Sequence, residues 1–145
     1  YEQKKALLPK IDAHYGSIAG KTVALWGLAF KPNTDDIREA PALEMIDALL
    51  DRGAKVKCYD PEAMSNVQRV LGEKVVFAEK MYAALESADF LVIATEWPEF
   101  RTPDFAQIES LLKEKVIFDG RNVFEMDTMR KHGYSYYSIG RKDIK

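Results

Sequence analysis

The stretch Thr22–Asp60, TVALWGLAFKPNTDDIREAPALEMIDALLDRGAKVKCYD, decides the fold. It opens on the apolar run Thr22–Trp26 and closes on a second run, Lys55–Tyr59. Between them Leu43, Met45, Ile46, Leu49 and Leu50 make an apolar stripe at helical spacing, and Gly53 stands where a helix C-terminus favours glycine. Strand, helix and strand in this order predict a parallel crossover unit, right-handed by the chirality of the chain. Its first connection is unusual. Gly27–Pro41, GLAFKPNTDDIREAP, holds a lysine, an arginine and two adjacent aspartates where a plain turn would serve.

The alternation continues outward. Val75–Ala78, Phe90–Thr95, Val116–Asp119 and Ser135–Ile139 read as four further buried strands. Met64–Leu71 closing at Gly72, Met81–Ala88, the repeat Phe105, Ile108, Leu111, Leu112, and Phe124–His132 closing at Gly133 read as helices. The expected class is α/β: a doubly wound, mainly parallel six-stranded sheet with helices on both faces. Lys4–His14, with Pro9 inside it, reads as a separate helix leading in from outside.

At 145 residues the chain has the size of one domain, and 47% hydrophobic with 30% charged residues is a soluble globular composition. The net charge is -2 and the basic residues are dispersed, which excludes the clustered cations of a nucleic-acid surface. No run has the length of a membrane span or the layout of a signal peptide. The single cysteine excludes an internal disulfide and suits a reducing compartment, so a cytoplasmic protein is expected. The sequence opens at Tyr1 without Met, as a domain cut from a longer chain would.

Ligands of open α/β sheets sit beyond the carboxyl ends of the strands. Four informative loops follow strands: Gly27-Leu28-Ala29-Phe30-Lys31, Asp60-Pro61, Thr95-Glu96-Trp97-Pro98 and Asp119-Gly120-Arg121-Asn122. All four are expected on one edge. The first lacks the three glycines of a dinucleotide fingerprint, and Leu28, Phe30 and Pro32 put bulk where a pyrophosphate would lie. It offers cations instead. Lys31, Arg38 and Arg121 suit a phosphorylated ligand, lysine as a mobile charge and arginine as a fork. A plainer alternative stands beside each: Lys31 and Arg38 neutralise Asp35 and Asp36, and Arg121 caps strand carbonyls. Asp60-Pro61 reads as a strand end without chemistry, Cys58 and Trp26 as core, Trp97 as packing rather than stacking, and His14 and His132 as surface groups. No nucleophilic triad or metal-ligand pattern is visible, so no catalytic residue is assigned.

Gly27–Pro41 closely resembles the signature that opens the C-terminal, UDP-binding domain of the UDP-glucose/GDP-mannose dehydrogenase family, the bacterial UDP-glucose 6-dehydrogenases above all. Lys55-Val-Lys-Cys-Tyr-Asp-Pro61, Ala88-Asp-Phe-Leu-Val-Ile-Ala-Thr-Glu-Trp97, Asp119-Gly-Arg-Asn122 and Tyr136-Tyr-Ser-Ile-Gly-Arg141 resemble it in order and spacing. The resemblance covers about residues 20–141. It implies a Rossmann-like domain at 20–145, with 1–19 as the tail of a connecting helix and linker. It also implies an N-terminal NAD-binding domain, a central helical domain and a homodimer. By resemblance Phe30, Lys31 and Arg121 contact the UDP-sugar, and Arg38 reaches the NAD held by the other domain. The implied reaction oxidises the sugar C6 alcohol to a carboxylate, with two hydride transfers to NAD and a cysteine-bound intermediate. Two departures stand out. The family's catalytic cysteine lies in a glycine-rich segment absent here, which Cys58 does not match. Ala40 replaces the usual serine before the helix proline, removing a cap that contributes about 1 kcal/mol. A dehydrogenase of UDP-N-acetylmannosamine or GDP-mannose, or a stand-alone nucleotide-binding regulatory module, are the alternatives.

Overall fold

The computed structural model describes residues 3–145; Tyr1 and Glu2, at the start of the expected connecting segment, lie outside the described residues. Six strands form: β1 Thr22–Trp26, β2 Lys55–Tyr59, β3 Val76–Phe77, β4 Phe90–Ile93, β5 Val116–Asp119 and β6 Ser135–Tyr137. They make one sheet in the order β3-β2-β1-β4-β5-β6, and every neighbouring pair is parallel. This is the doubly wound order of Rossmann-like domains, and right-handed crossovers then place helices on both faces. The chain direction across the sheet reverses between β1 and β4.

Register carries this order to the site. Trp26 pairs with Tyr59 and Ile93, and Ile93 pairs with Asp119. The ends of β1, β2, β4 and β5 are therefore level, and their loops open on one edge as expected. β1, β4 and β5 bury nearly every residue, which only a sheet covered on both faces allows.

The helices are α1 Gln3–Tyr15, α2 Pro41–Asp51, α3 Met64–Leu71, α4 Pro98–Arg101, α5 Phe105–Leu111 and α6 Met126–His132. α1 does not stand apart: Leu7 and Ile11 are fully buried and the helix lies against α2 and β5. Pro9 faces solvent and is accommodated without ending the helix. Met81–Ala88 does not form the expected helix and keeps a single 3-10 turn at Ala83–Leu85. Trp26 Nε1 donates to the Met81 carbonyl, and Ser87 is left-handed, so tertiary bonds displace the helical ones. α6 likewise starts at Met126 rather than Phe124, whose N–H donates to Asp119.

The core runs through both faces. Trp26 stacks on Phe100 with centroids 4.9 Å apart. Cys58 is fully buried, its Sγ 3.5 Å from the Val76 carbonyl oxygen, and burial pushes its thiol up to about 12. A thiol so placed is a core residue and not a nucleophile. Among the described residues no helix is long and apolar enough to cross a membrane.

Gly27 marks the closest approach of the switch-point loops. Its φ is +98°, and a Cβ there would lie 2.5 Å from Thr95 N and 2.6 Å from Thr95 Cβ. Gly20 has a similar φ of +80° with nothing within 4 Å of such a Cβ. Gly20→Ala should therefore cost only the left-handed backbone, about 1–2 kcal/mol. Gly27→Ala should add overpacking and cost about 3 kcal/mol or more by denaturant titration. Equal losses at the two positions would contradict the close approach.

Candidate ligand cleft at the switch point

Asp60, fully buried at the end of β2, organises the loops around it. Its Oδ2 accepts N–H bonds from Leu28 at 2.7 Å and Ala29 at 3.0 Å, and from the Trp97 indole at 3.0 Å. Its Oδ1 accepts from Glu62 N and Ala63 N, both at 2.8 Å. One carboxylate thus ties together the loops after β1, β2 and β4. Thr95 Oγ1 adds a bond to the Ala29 carbonyl at 2.7 Å. Trp97 is buried and its role is this bond, in line with the packing expectation.

The arrangement tests a dinucleotide on this chain directly. A pyrophosphate needs free N–H groups at the first turn and at a helix N-terminus. Here the Leu28 and Ala29 amides donate to Asp60, and α2 begins only at Pro41, behind an Ala40 cap that supplies no side-chain acceptor. A pyrophosphate does not fit the first loop.

Beside it lies a cleft of ≈ 540 Å³, within the range of small-ligand sites. Phe30, Glu39, Glu96, Arg121 and Asn122 line it, together with Gln3 of α1. Phe30 is 41% exposed, one of few large apolar side chains so open. Its N–H donates to the Asp36 carbonyl, and its own carbonyl accepts from Arg121 Nη2 at 3.3 Å. Arg121 Nε reaches the Ala94 carbonyl at 3.3 Å, and Nη1 lies 3.5 Å from Glu96 Oε2. These are long contacts, weak enough for an anionic ligand to replace. The carbonyl-capping alternative for Arg121 is therefore seen in part, but it leaves the guanidinium at the cleft wall.

Arg38 makes the neutralising contact foreseen as its plainer alternative. Its Nη2 donates to Asp36 Oδ2 at 2.8 Å and its Nε to Oδ1 at 3.0 Å, while its side chain stays 87% exposed. Arg38 lines a second recess with Phe30, Asp36 and Glu39. Asp35 is positioned differently, its carbonyl accepting from Asn66 Nδ2. Lys31 is exposed and lines neither recess. So the structure joins Phe30 and Arg121 in one cleft, puts Arg38 next door, and leaves Lys31 on the outer rim.

Several residues escape sequence reasoning. Asp60 carried no signal beyond Asp-Pro, and Glu39 none at all, although it takes a left-handed φ of +57° and lines both recesses. Such a backbone in a non-glycine residue is strained and is characteristic of sites. Asp119 repeats the role of Asp60 on the far side, accepting from Arg121 N, Val123 N and Phe124 N. Burial pushes its carboxyl up, against the bond from the Tyr136 hydroxyl and those three amides. The histidines lie away from the cleft. His14 Nδ1 is 2.7 Å from the Tyr137 hydroxyl, and His132 Nδ1 is 3.3 Å from Glu109 Oε2. Among the described residues no cluster of His, Cys, Asp or Glu could hold a metal ion.

The profile of the UDP-glucose/GDP-mannose dehydrogenase family, UDP binding domain, matches residues 24–126. The chain belongs to this family. UDP-glucose 6-dehydrogenase TuaD of Bacillus subtilis is 43% identical over 144 residues, 99% of this chain and 31% of its own length. A UDP-glucose 6-dehydrogenase of Rhizobium meliloti is 46% identical over 142 residues, 97% of this chain and 32% of its own. Among solved structures, a UDP-glucose dehydrogenase from Pyrobaculum islandicum matches with a TM-score of 0.77 at 34% identity, over 94% of this chain and 29% of that one. An NDP-N-acetyl-D-galactosaminuronic acid dehydrogenase from Methanosarcina mazei reaches 0.80 at 25% identity, over 97% and 29%. The UDP-binding domain described here spans about a third of the length of these relatives.

The Asp36–Arg38 pair in this UDP-binding domain has a titratable signature. The Arg38 side-chain bonds, then its N–H, with the Lys31 charge adding, hold the Asp36 carboxyl at about 2. A lowered carboxyl stabilises the folded loop above its unfolded value, and that contribution is lost as pH falls through about 2. Carbon-detected NMR should find Asp36 titrating near there, and Arg38→Ala should raise it toward the ordinary carboxylate range, the residue-38 N–H and Lys31 still lowering it. An unchanged midpoint in Arg38→Ala would contradict the pairing.

Proposed function

We propose that this chain is the UDP-sugar-binding domain of an NAD-dependent UDP-glucose 6-dehydrogenase, which converts UDP-glucose and two NAD to UDP-glucuronate and two NADH. The observation that carries the reading is the cleft in which Phe30 and Arg121, from the loops after β1 and β5, meet at the switch point. Arg121 offers a fork for phosphate oxygens and Phe30 an apolar face beside it. Lys31 adds a mobile cation at the rim. Arg38, exposed in the neighbouring recess, serves NAD held mainly by an N-terminal domain, which agrees with a first loop whose Leu28 and Ala29 amides are already bonded. Residues 1–19, of which 3–19 are described, belong to a connecting segment, and 20–145 to the binding domain. The other parts are the NAD-binding and central helical domains, in a cytoplasmic homodimer serving polysaccharide biosynthesis.

On this reading the chain orients the nucleotide sugar, offsets its charge and closes the cleft against water. It does not supply the nucleophile, since Cys58 is buried in β2 and the described residues hold no other thiol. Identities of 43% and 46% to UDP-glucose 6-dehydrogenases, against 25% to the N-acetylgalactosaminuronic acid enzyme, favour glucose as the sugar.

Truncations in the full-length enzyme separate the roles. Lys31→Ala and Arg121→Ala should each weaken UDP-glucose binding, and Arg38→Ala that of NAD. A hydrogen bond to a charged group contributes about 1.5–3 kcal/mol, so each loss is roughly ten- to hundredfold. Calorimetry with each ligand, and a melting curve as control, checks this. Unchanged affinities in all three variants would defeat the assignment.

A further inference from the structure

The loop that carries Arg121 is fastened from beneath by β6 and the segment that follows it. Asp119 Oδ2 accepts the Tyr136 hydroxyl at 2.5 Å, besides the Val123 and Phe124 amides. That hydroxyl accepts in turn from Arg141 Nη2 at 2.8 Å. Arg141 Nη1 donates to the Phe124 carbonyl at 3.0 Å and its Nε to Ser138 Oγ at 3.0 Å. The guanidinium also lies over the Tyr136 ring, 5.5 Å from its centroid. One residue beyond Arg121, Asn122 and Ile139 exchange two hydrogen bonds, each 2.8 Å.

The fastening segment is anchored at its other side. Lys10 of α1 donates to the Ser138 carbonyl at 3.0 Å and to Asp143 Oδ1 at 2.7 Å. Tyr136 and Ile144 form an antiparallel bridge. A buried carboxylate such as Asp119 is costly unless hydrogen bonds compensate it. Tyr136 adds a fourth donor to the three amides, and Arg141 brings a cation to the other side of that hydroxyl. Neither Tyr136 nor Arg141 lines the cleft, so neither is placed to touch its ligand.

We infer that Tyr136 and Arg141 are positioning residues for the nucleotide-sugar cleft, holding the Arg121 loop through Asp119 and Phe124. The inference rests on the reading that Arg121 contacts the UDP-sugar. A purely structural role predicts lower stability without ligand preference. A positioning role predicts that the effect passes through Arg121.

A double-mutant cycle in the full-length enzyme distinguishes these. Tyr136→Phe keeps the ring and removes only the hydroxyl, and Arg141→Met keeps the stem and removes the fork. Each should raise KM for UDP-glucose roughly fivefold or more, with KM for NAD and kcat within about twofold. Arg141→Lys, which restores charge without the fork, should recover part of the loss. In an Arg121→Ala background the same substitutions should change KM for UDP-glucose by less than about twofold, because the group they position is gone. Equal rises in KM for both substrates, effects that add fully to Arg121→Ala, or wild-type constants in Tyr136→Phe would each overturn the inference. An Arg121→Ala enzyme with unchanged KM for UDP-glucose would instead sink the reading of the cleft, and the inference with it.

Discussion

The carboxylate of Asp60 is the constraint on which the switch point depends. It is fully buried and receives five N–H donors, from Leu28, Ala29, Glu62, Ala63 and the Trp97 indole. Each bond to a charged acceptor contributes about 1.5–3 kcal/mol, and a carboxylate stripped of donors in the interior costs several. The loops after β1, β2 and β4 are therefore not free to move independently. The contact of Gly27 with Thr95 follows from that tie. So does the engagement of the Leu28 and Ala29 amides, and a pyrophosphate cradle is lost with them.

Asp119 does the same for the loop after β5, so two buried carboxylates flank the cleft. Their bonds turn backbone N–H groups inward and leave cationic side chains to face outward. This explains the opposed charge of the Gly27–Pro41 loop. Asp36 fastens Arg38 within the loop, yet the guanidinium stays open to solvent. Neutralisation and ligand contact are compatible at such a residue, and the two readings of Arg38 are less opposed than its sequence suggests. The same holds at Arg121, whose internal contacts of 3.3–3.5 Å keep it in place without occupying it fully.

Much of the architecture was legible because burial leaves a periodic trace. β1, β4 and β5 are apolar runs since both their faces are covered, and α2 shows its stripe since one face is. The loops with cations were legible from their place after strands. What stayed hidden depends on partners distant in sequence. Asp60 meets Leu28 across 32 positions and Trp97 across 37, and no local pattern encodes either contact. Met81–Ala88 has the spacing of a helix, but Trp26 takes the Met81 carbonyl from 55 positions away. α1 reads as a leading arm because its few apolar residues do not reveal the sheet that buries Leu7 and Ile11. Glu39 is invisible because left-handed backbone in a glutamate follows from its surroundings alone.

The claim that one carboxylate locks the switch-point loops is tested most directly by hydrogen exchange in Asp60→Ala, followed by NMR. The Leu28 and Ala29 amides and the Trp97 indole N–H should lose their protection. The inner-strand amides of Val92 and Ile117 should keep theirs, and so should the Trp26 indole, which donates to Met81. Protection at Leu28, Ala29 and Trp97 equal to that of the parent protein would contradict the account.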